Sequence, residues 1–566
     1  MSLVDWVVLF GALGFFVAFG LWRSRGERNL DDYLLAGRAF PWYGVALSVM
    51  ATQASAVTFL STPGQGFADG LRFVQFYFGL PLAMIVLSVT VVPIFHRLRV
   101  FTAYQYLEQR FDGKTRTLGA ALFLIQRGLA AGITIYAPAL VLSVILGWPV
   151  GSTCLLLAGL AVVYTATGGS QAVGHTHMLQ FSIIIATLLV AFAVVFFSLP
   201  PGMSAGDALA LAAAAGRTHA LELRFDPNDR YNLWSGLIGG FFLQLAYFGT
   251  DQSQVGRYLT GRSITGTRIG LLFNGLVKVP MQLLILSLGV LVFVFYLFHP
   301  APVHFNPGEA RRLSVGPYAL EYRTLESDQR ALEVGRERHA QEFLAARRHR
   351  DATAQAVART ALLEDQQHWS ALRARTSRLI QTRDPSANPS DTNYVFLSFV
   401  LAHLPVGLIG LVFAAIFAAS MNSTAAELNA LASTTVVDVI QRLNPAAGAG
   451  ARGLWLSRLV TIGWAAYAVA FAENASRLGS LVEAVNILGS LFYGTILGIF
   501  LTAFYVPRVR GTAVFTGALV AEAVVLACFR FTGISFLWYN LIGCAVVVGV
   551  GTLVQAWLRP ATRESV

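Results

Sequence analysis

Apolar residues in this chain run in long blocks separated by short polar or basic segments. Blocks such as Leu3 to Trp22 and Met178 to Leu199 reach the ~20 residues an α-helix needs to cross the hydrocarbon core of a bilayer. Read this way throughout, the pattern predicts about thirteen transmembrane helices. They fall at 3–22, 41–62, 74–97, 118–147, 149–167, 171–199, 233–250, 268–298, 394–420, 456–473, 479–506, 512–530 and 536–557. Arg23, Arg25 and Arg28 follow the first block directly, with no basic region before it and no small-residue cleavage site after it. That block therefore reads as a retained helix rather than a removable signal.

Short loops carrying Arg or Lys are 23–39, 97–116, 256–268, 441–458, 507–510 and the tail from Arg559, and all fall on one side of an alternating count. The positive-inside rule makes that side cytoplasmic, with the N-terminus extracytoplasmic and the C-terminus cytoplasmic. The other side holds 201–232 and an insert at 300–392, where the sequence turns abruptly to Arg, Glu, Ala and Gln. The middle of the insert, Tyr318 to Thr382, lacks Pro and is rich in helix formers, which predicts an amphipathic helical hairpin outside the membrane. The chain divides into an extra helix with its loop (1–40), a first helical unit (41–200), the 201–232 segment, the start of a second unit (233–299), the insert, the rest of the second unit (393–506), and two last helices with a tail (507–566).

Composition agrees with the block pattern. Hydrophobic residues make up 55% of the chain and charged residues 13%, against about a quarter charged in soluble domains. The formal charge of +11 belongs to the loops and is topological, so no nucleic-acid partner is implied. Cys154, Cys528 and Cys544 lie in or beside apolar blocks without metal-ligand spacing or a pairing pattern. No nucleophile–base pair, phosphate loop or metal cluster marks an enzyme, and no organic cofactor is implied.

Two polar, uncharged stretches lie within apolar blocks: residues 51–58, ATQASAVT, and 418–424, AASMNST. Unwound backbone at membrane depth is tolerated where it lines a cavity, and its freed carbonyls with nearby hydroxyls make a hard-oxygen cage for a small cation. The alternative is that small residues simply allow helices to pack closely.

Four strings, residues 101–111 (FTAYQYLEQRF), 249–259 (GTDQSQVGRYL), 427–432 (ELNALA) running on to Val437 and Asp438, and 135–140 (IYAPAL), together resemble the sodium:solute symporter family. The last is similar to a string of its monocarboxylate, iodide and multivitamin branch, and the match runs from about Asp31 to Arg510 apart from the insert. The resemblance implies an all-α, LeuT-type fold of two inverted five-helix repeats, with sodium as the coupling ion. By position it implies a sodium site made of the backbone carbonyls of Ala51, Ala54 and Ala419 with the side chains of Asn422 and Ser423. Asn422 departs from the hydroxyl usual there, although an amide oxygen is also a hard ligand. His177 stands where some members carry an Asp for a second sodium, and Ala425 and Ala426 replace hydroxyls there, so one sodium per cycle is expected. His177 is either a possible proton relay or an interfacial histidine in a wet loop.

The same resemblance places the solute among Thr58, Gln244, Lys278 and Asn486, with Tyr247 as a gate on the cytoplasmic side. Lys278 lies inside an apolar span, where a charge costs on the order of 3 kcal/mol. It either meets substrate hydroxyls or a carboxylate, or snorkels to the interface or pairs with another span. Gln53, Gln75, Glu483 and Glu522 are further polar groups, the last two near predicted span ends, and are left out of the site. The expected function is sodium-coupled import of a small polar or anionic organic solute across a bacterial inner membrane, in contact with lipid. A proton-coupled or uncoupled transporter, or a solute-binding membrane sensor, are the alternatives. Nothing in the pattern bears on whether the chain forms a homo-oligomer.

Overall fold

The computed structural model describes residues 1–23, 35–98, 100–445, 450–473 and 479–558; the side chains of Leu21, Arg23, residues 164, 166–173 and 450–451 are also outside the description. The first part of the chain forms α1 (Leu3–Arg23), α2 (Trp42–Gln53), α3 (Ala56–Asp69), α4 (Leu80–Val89), α5 (Val91–Leu98), α6 (Ala103–Arg110), α7 (Gly113–Leu146) and α8 (Val150–Phe197). After α9 (Ala205–Ala214) come α10 (Gly240–Thr250), α11 (Gln252–Tyr258) and α12 (Ile264–Phe295). The insert contributes α13 (Pro307–Ser314), α14 (Ala319–Arg348) and α15 (Ala352–Arg383). The rest is α16 (Thr392–His403), α17 (Leu408–Thr434, carried by a π-turn to Leu443), α18 (Gly450–Ala472), α19 (Leu481–Tyr505), α20 (Gly511–Phe531) and α21 (Phe536–Trp557).

Ten of the described helical runs, with α3 to α5 counted as the single run Ala56–Leu98, are long and apolar enough to cross a bilayer, so the count of thirteen is not confirmed. Three departures account for the difference. The block 41–62 is cut into α2 and α3, of 12 and 14 residues. The block 233–250 opens with a π-turn and leaves only the 11 residues of α10. The blocks 149–167 and 171–199 fall within one helical stretch, α8.

The break between α2 and α3 lies in the first polar stretch. Ala54 (φ −80°, ψ 65°) and Ser55 (φ −77°, ψ 166°) leave the helical region, and no charged group is buried to make the break. The second polar stretch is different. Residues 418–424 stay helical inside α17, and every residue of α17 from Val412 to Thr434 is buried. Its alanines favour helix, and the small side chains let neighbouring helices approach, so here the packing alternative applies and the expected interruption is corrected. Its block, 394–420, is instead divided at Leu404–Gly407, before α17 begins.

A second break falls where no polar stretch advertised it, between α10 and α11. Asp251 is extended there (φ −79°, ψ 118°), and its carboxylate accepts from the Ser253 backbone N–H at 2.8 Å and the Ser253 hydroxyl at 2.7 Å, capping α11.

The first apolar block also carries a charge, Asp5, which is fully buried. Its carboxylate accepts from the backbone N–H of Gly407 at 2.7 Å and of Gly410 at 3.3 Å. A carboxylate held against the start of α17 satisfies donors the helix cannot satisfy itself, which makes α1 part of the packed bundle.

Candidate functional site

The first break borders a cavity of about 120 Å³. Thr52, Gln53, Ser55 and Thr58 approach it from α2 and α3, Gln244 and Tyr247 from α10, Lys278 from α12, Ser423 and Glu427 from α17, and Asn486 and Tyr493 from α19. The structure thus brings together Thr58, Gln244, Lys278, Asn486 and Tyr247. The Thr58 hydroxyl donates to the Gln53 carbonyl at 3.3 Å across the break. The Asn486 amide donates to Val482 O at 2.8 Å, and the Tyr247 hydroxyl accepts from Gln254 at 2.7 Å. Gln53, left out on sequence grounds, also lines the cavity and donates to Asn274 Oδ1 at 3.0 Å.

Lys278 is only 2% exposed, so it does not snorkel to an interface. Its ammonium stands 5.6 Å from the centre of the Tyr77 ring and has no ion-pair partner among the described residues. A buried ammonium set against an aromatic face presents a charge to the cavity that no described carboxylate answers with an ion pair.

Ala51, Ala54, Ala419, Asn422 and Ser423 are all buried, with Asn422 fully so. The Ser423 hydroxyl donates to the Thr52 carbonyl at 3.0 Å, tying α17 to the broken end of α2. Neither the oxygen nor the nitrogen of the Asn422 side-chain amide has a hydrogen-bond partner among the described residues. An amide oxygen is a hard donor of the kind a small cation takes.

His177 sits on α8 and is fully buried, with its ring nitrogen Nδ1 3.2 Å from the Ser48 hydroxyl on α2. The wet-loop reading is corrected: continuous helix carries this residue into the bundle. Gln75 is structural, donating to Tyr231 O at 2.8 Å and accepting from Glu222 N at 3.0 Å. Glu483 accepts from Arg230 at 2.7 Å and Tyr231 at 2.8 Å. Glu522 lies midway along α20, not at its end.

The sequence reading missed a charged cluster bordering this cavity. Arg127 on α7 pairs with both Asp251 and Glu427, the latter at 3.0 Å. The Tyr493 hydroxyl donates to Asp251 at 2.7 Å, Thr134 donates to Glu427 at 3.3 Å, and the guanidinium stands 5.5 Å from the centre of the Tyr247 ring. The available signal was Arg127 itself, a charge in the middle of an apolar block.

The separate family-like strings meet in space. Gln252 donates to Phe101 O at 2.8 Å and accepts from Ala103 N at 3.1 Å, while Tyr104 donates to Thr250 O at 2.8 Å. Asp438 accepts from Thr102 at 2.9 Å and from Arg116 Nε at 2.8 Å, and Arg116 also reaches Glu108 at 2.5 Å. These strings hold the loop before α7 against the second break and the end of α17.

The sodium:solute symporter family profile matches residues 33–313 and 380–521. The chain is 23% identical to the sodium/sialic acid symporter of Proteus mirabilis, over 99% of this chain and 97% of that one. It is 26% identical to the sodium-dependent multivitamin transporter of Oryctolagus cuniculus, over 92% of this chain and 69% of that one. It is 31% identical to the human sodium/iodide cotransporter over a shorter stretch, 49% of this chain and 43% of that one. The solved structure of a substrate-bound, outward-open sodium-coupled sialic acid symporter superposes with a TM-score of 0.76 at 22% identity, over 99% of both chains, and shares the fold. The architecture is accordingly the all-α, LeuT-type one of inverted repeats, in which broken helices meet at a central site. With two broken helices around one cavity and the profile matched on both sides of the insert, the chain belongs to the sodium:solute symporter family and is a membrane transporter, not an enzyme.

Proposed function

We propose that this protein imports a small organic anion across a bacterial inner membrane with sodium, by alternating access. The observation that carries the solute class is Lys278, a buried ammonium that lines the cavity and has no ion-pair partner among the described residues. A carboxylate on the solute supplies the missing partner, and Thr58, Gln244 and Asn486 offer polar groups around it. Relatives named for sialic acid, iodide and monocarboxylate support an anionic class.

Sodium is the coupling ion. In the proposed site it takes the carbonyls of Ala51, Ala54 and Ala419 with Asn422 and Ser423. Binding there ties α17 to the break between α2 and α3, and so shapes the helix that also carries Thr58. Tyr247, tilted against Tyr493 at 5.9 Å between ring centres, closes the cavity on the Arg127 side. The proposed orientation puts the insert outside, the N-terminus extracytoplasmic and the C-terminus cytoplasmic.

The experiment is thermal unfolding of the purified protein in sodium against potassium at constant ionic strength. A ligand of the folded state stabilises it by RT ln(1 + [L]/Kd), about 2 kcal/mol for a Kd of tens of millimolar near 1 M salt. Sodium-selective stabilisation that vanishes in Ser423→Ala supports the site. Equal responses to the two cations, with a midpoint set by pH through His177, favour the proton-coupled reading, whose supporting observation is the burial of His177 against Ser48.

A further inference from the structure

The insert closes over the ends of α3 and α12 farthest from the first break, through an unusual concentration of arginine. Arg336 of α14 lies 4.8 Å from the Trp369 ring centre and 5.9 Å from that of Phe293. Arg373 of α15 lies 4.8 Å from the Trp369 ring and 5.4 Å from that of Phe305. Arg217, in the segment before α10, lies 4.7 Å from the Phe293 ring. Phe67, near the end of α3, stands between Phe293 at 5.8 Å and Trp369 at 5.6 Å. Three guanidinium groups thus share one aromatic cluster.

Their charges are not matched. Arg373 pairs with Asp391, whereas neither Arg217 nor Arg336 has an ion-pair partner among the described residues, and Arg336 is 2% exposed. Arg217 donates to the Ala68 carbonyl. The acids nearest Arg336 are engaged elsewhere: Glu333 accepts from Ala301 N at 2.8 Å and from Gln329 at 3.1 Å, and Asp365 bonds His339 at 2.7 Å. Asp69, whose charge acts on Arg217, takes the Gln65 amide at 2.5 Å. Burial, offset in part by Glu333 and Asp365 and reinforced by the neighbouring arginines, holds Arg336 down to about 10, so it remains a cation at neutral pH.

Each arginine also keeps a buried N–H without an acceptor among the described residues: Nε of Arg217, Nη1 of Arg336 and Nη1 of Arg373. The indole Nε1 of Trp369 is a fourth. Among the described residues, four orphaned donors and two cations without an ion pair make an environment suited to an anion.

We propose that Arg217, Arg336, Arg373 and Trp369 form a binding site for a small oxyanion at the junction of the insert with α3 and α12. The site is separate from the central cavity and independent of which solute is carried there. Guanidinium groups suit phosphate, sulfate or carboxylate oxygens because their N–H groups match those acceptors in pairs. An anion held there fastens the hairpin onto α3, the helix whose other end begins at the first break.

The test uses the full-length purified protein at fixed sodium and ionic strength, with gluconate replaced stepwise by inorganic phosphate, sulfate or chloride. The expected result is a saturable rise of several degrees in the unfolding midpoint with phosphate or sulfate, together with a saturable change in tryptophan emission. Arg336→Gln loses the rise but keeps sodium-dependent stabilisation, and Trp369→Phe, which preserves the ring packing, loses the emission change. Equal effects of chloride and the oxyanions, or a rise that persists unchanged in Arg336→Gln, overturn the site. Should Arg336→Gln fail to fold, Trp369→Phe and Arg217→Lys decide: an unaltered phosphate midpoint curve in both overturns it.

Discussion

Individual side chains here are asked to hold charge where a bilayer protein can least easily do so. Lys278 meets this with a cavity rather than with a carboxylate. Lys278→Gln should therefore leave folding intact and weaken solute uptake. A charge-assisted hydrogen bond is worth about 1.5–3 kcal/mol, so KM should rise roughly 10- to 100-fold, measured in proteoliposomes under a sodium gradient. Arg127 answers the same problem in the opposite way, with two carboxylates on one guanidinium. Arg127→Gln leaves Asp251 and Glu427 buried without a counter-charge and should cost about 3–5 kcal/mol of stability, visible as a large fall in the unfolding midpoint. Adding Asp251→Asn should restore part of that loss, because the change removes one of the stranded charges.

Among elements, the crossing of α3 with α12 is a tight constraint on the helix that starts at the break. A Cβ on Gly289 would stand 1.9 Å from the Pro63 carbonyl, and one on Gly66 would stand 2.3 Å from the Leu286 carbonyl. The two backbones touch, and neither position has a flexible side chain that could give way. Gly289→Val should force the helices apart and lower the midpoint by several degrees, whereas Gly11→Ala, with nothing within 4 Å, should leave it unchanged. Ser423 and Thr52 link α17 to the same region by a 3.0 Å bond. Loss of that hydroxyl is expected to remove the sodium-selective part of the stabilisation while leaving most of the packing of α17 in place.

At the scale of the whole molecule, the insert is a second packed body joined to the bundle. Val303, Leu313, Tyr322, Leu325, Leu372, Leu379 and Ile380 form its own apolar cluster, while Phe343, Leu362 and Trp369 join the core of the membrane helices. The proposed orientation is checked by fusions. Alkaline phosphatase inserted at the α14–α15 turn, near Arg350, should be active, and a fluorescent protein fused at the C-terminus should fluoresce from the cytoplasm. Activity of the phosphatase at the C-terminus instead would reverse the orientation.

Long apolar blocks, the absence of charge at residues 51–58, and the strings around residues 101, 249 and 427 were enough to state an all-α membrane transporter and to name six residues that line one cavity. These are local properties: block length sets whether a helix can span, and Ala, Ser and Thr without Pro or charge permit a helix either to break or to pack. Which of the two happens is not local. Both stretches reach the cavity, yet 51–58 breaks there while 418–424, buried within α17, remains helical. The break at Asp251, the pairing of Arg127 with two acids, the buried position of His177 and the arginine cluster under the insert each depend on residues far apart along the chain. Only folding sets those distances, and with them which buried charges are answered by the protein and which are left for a ligand.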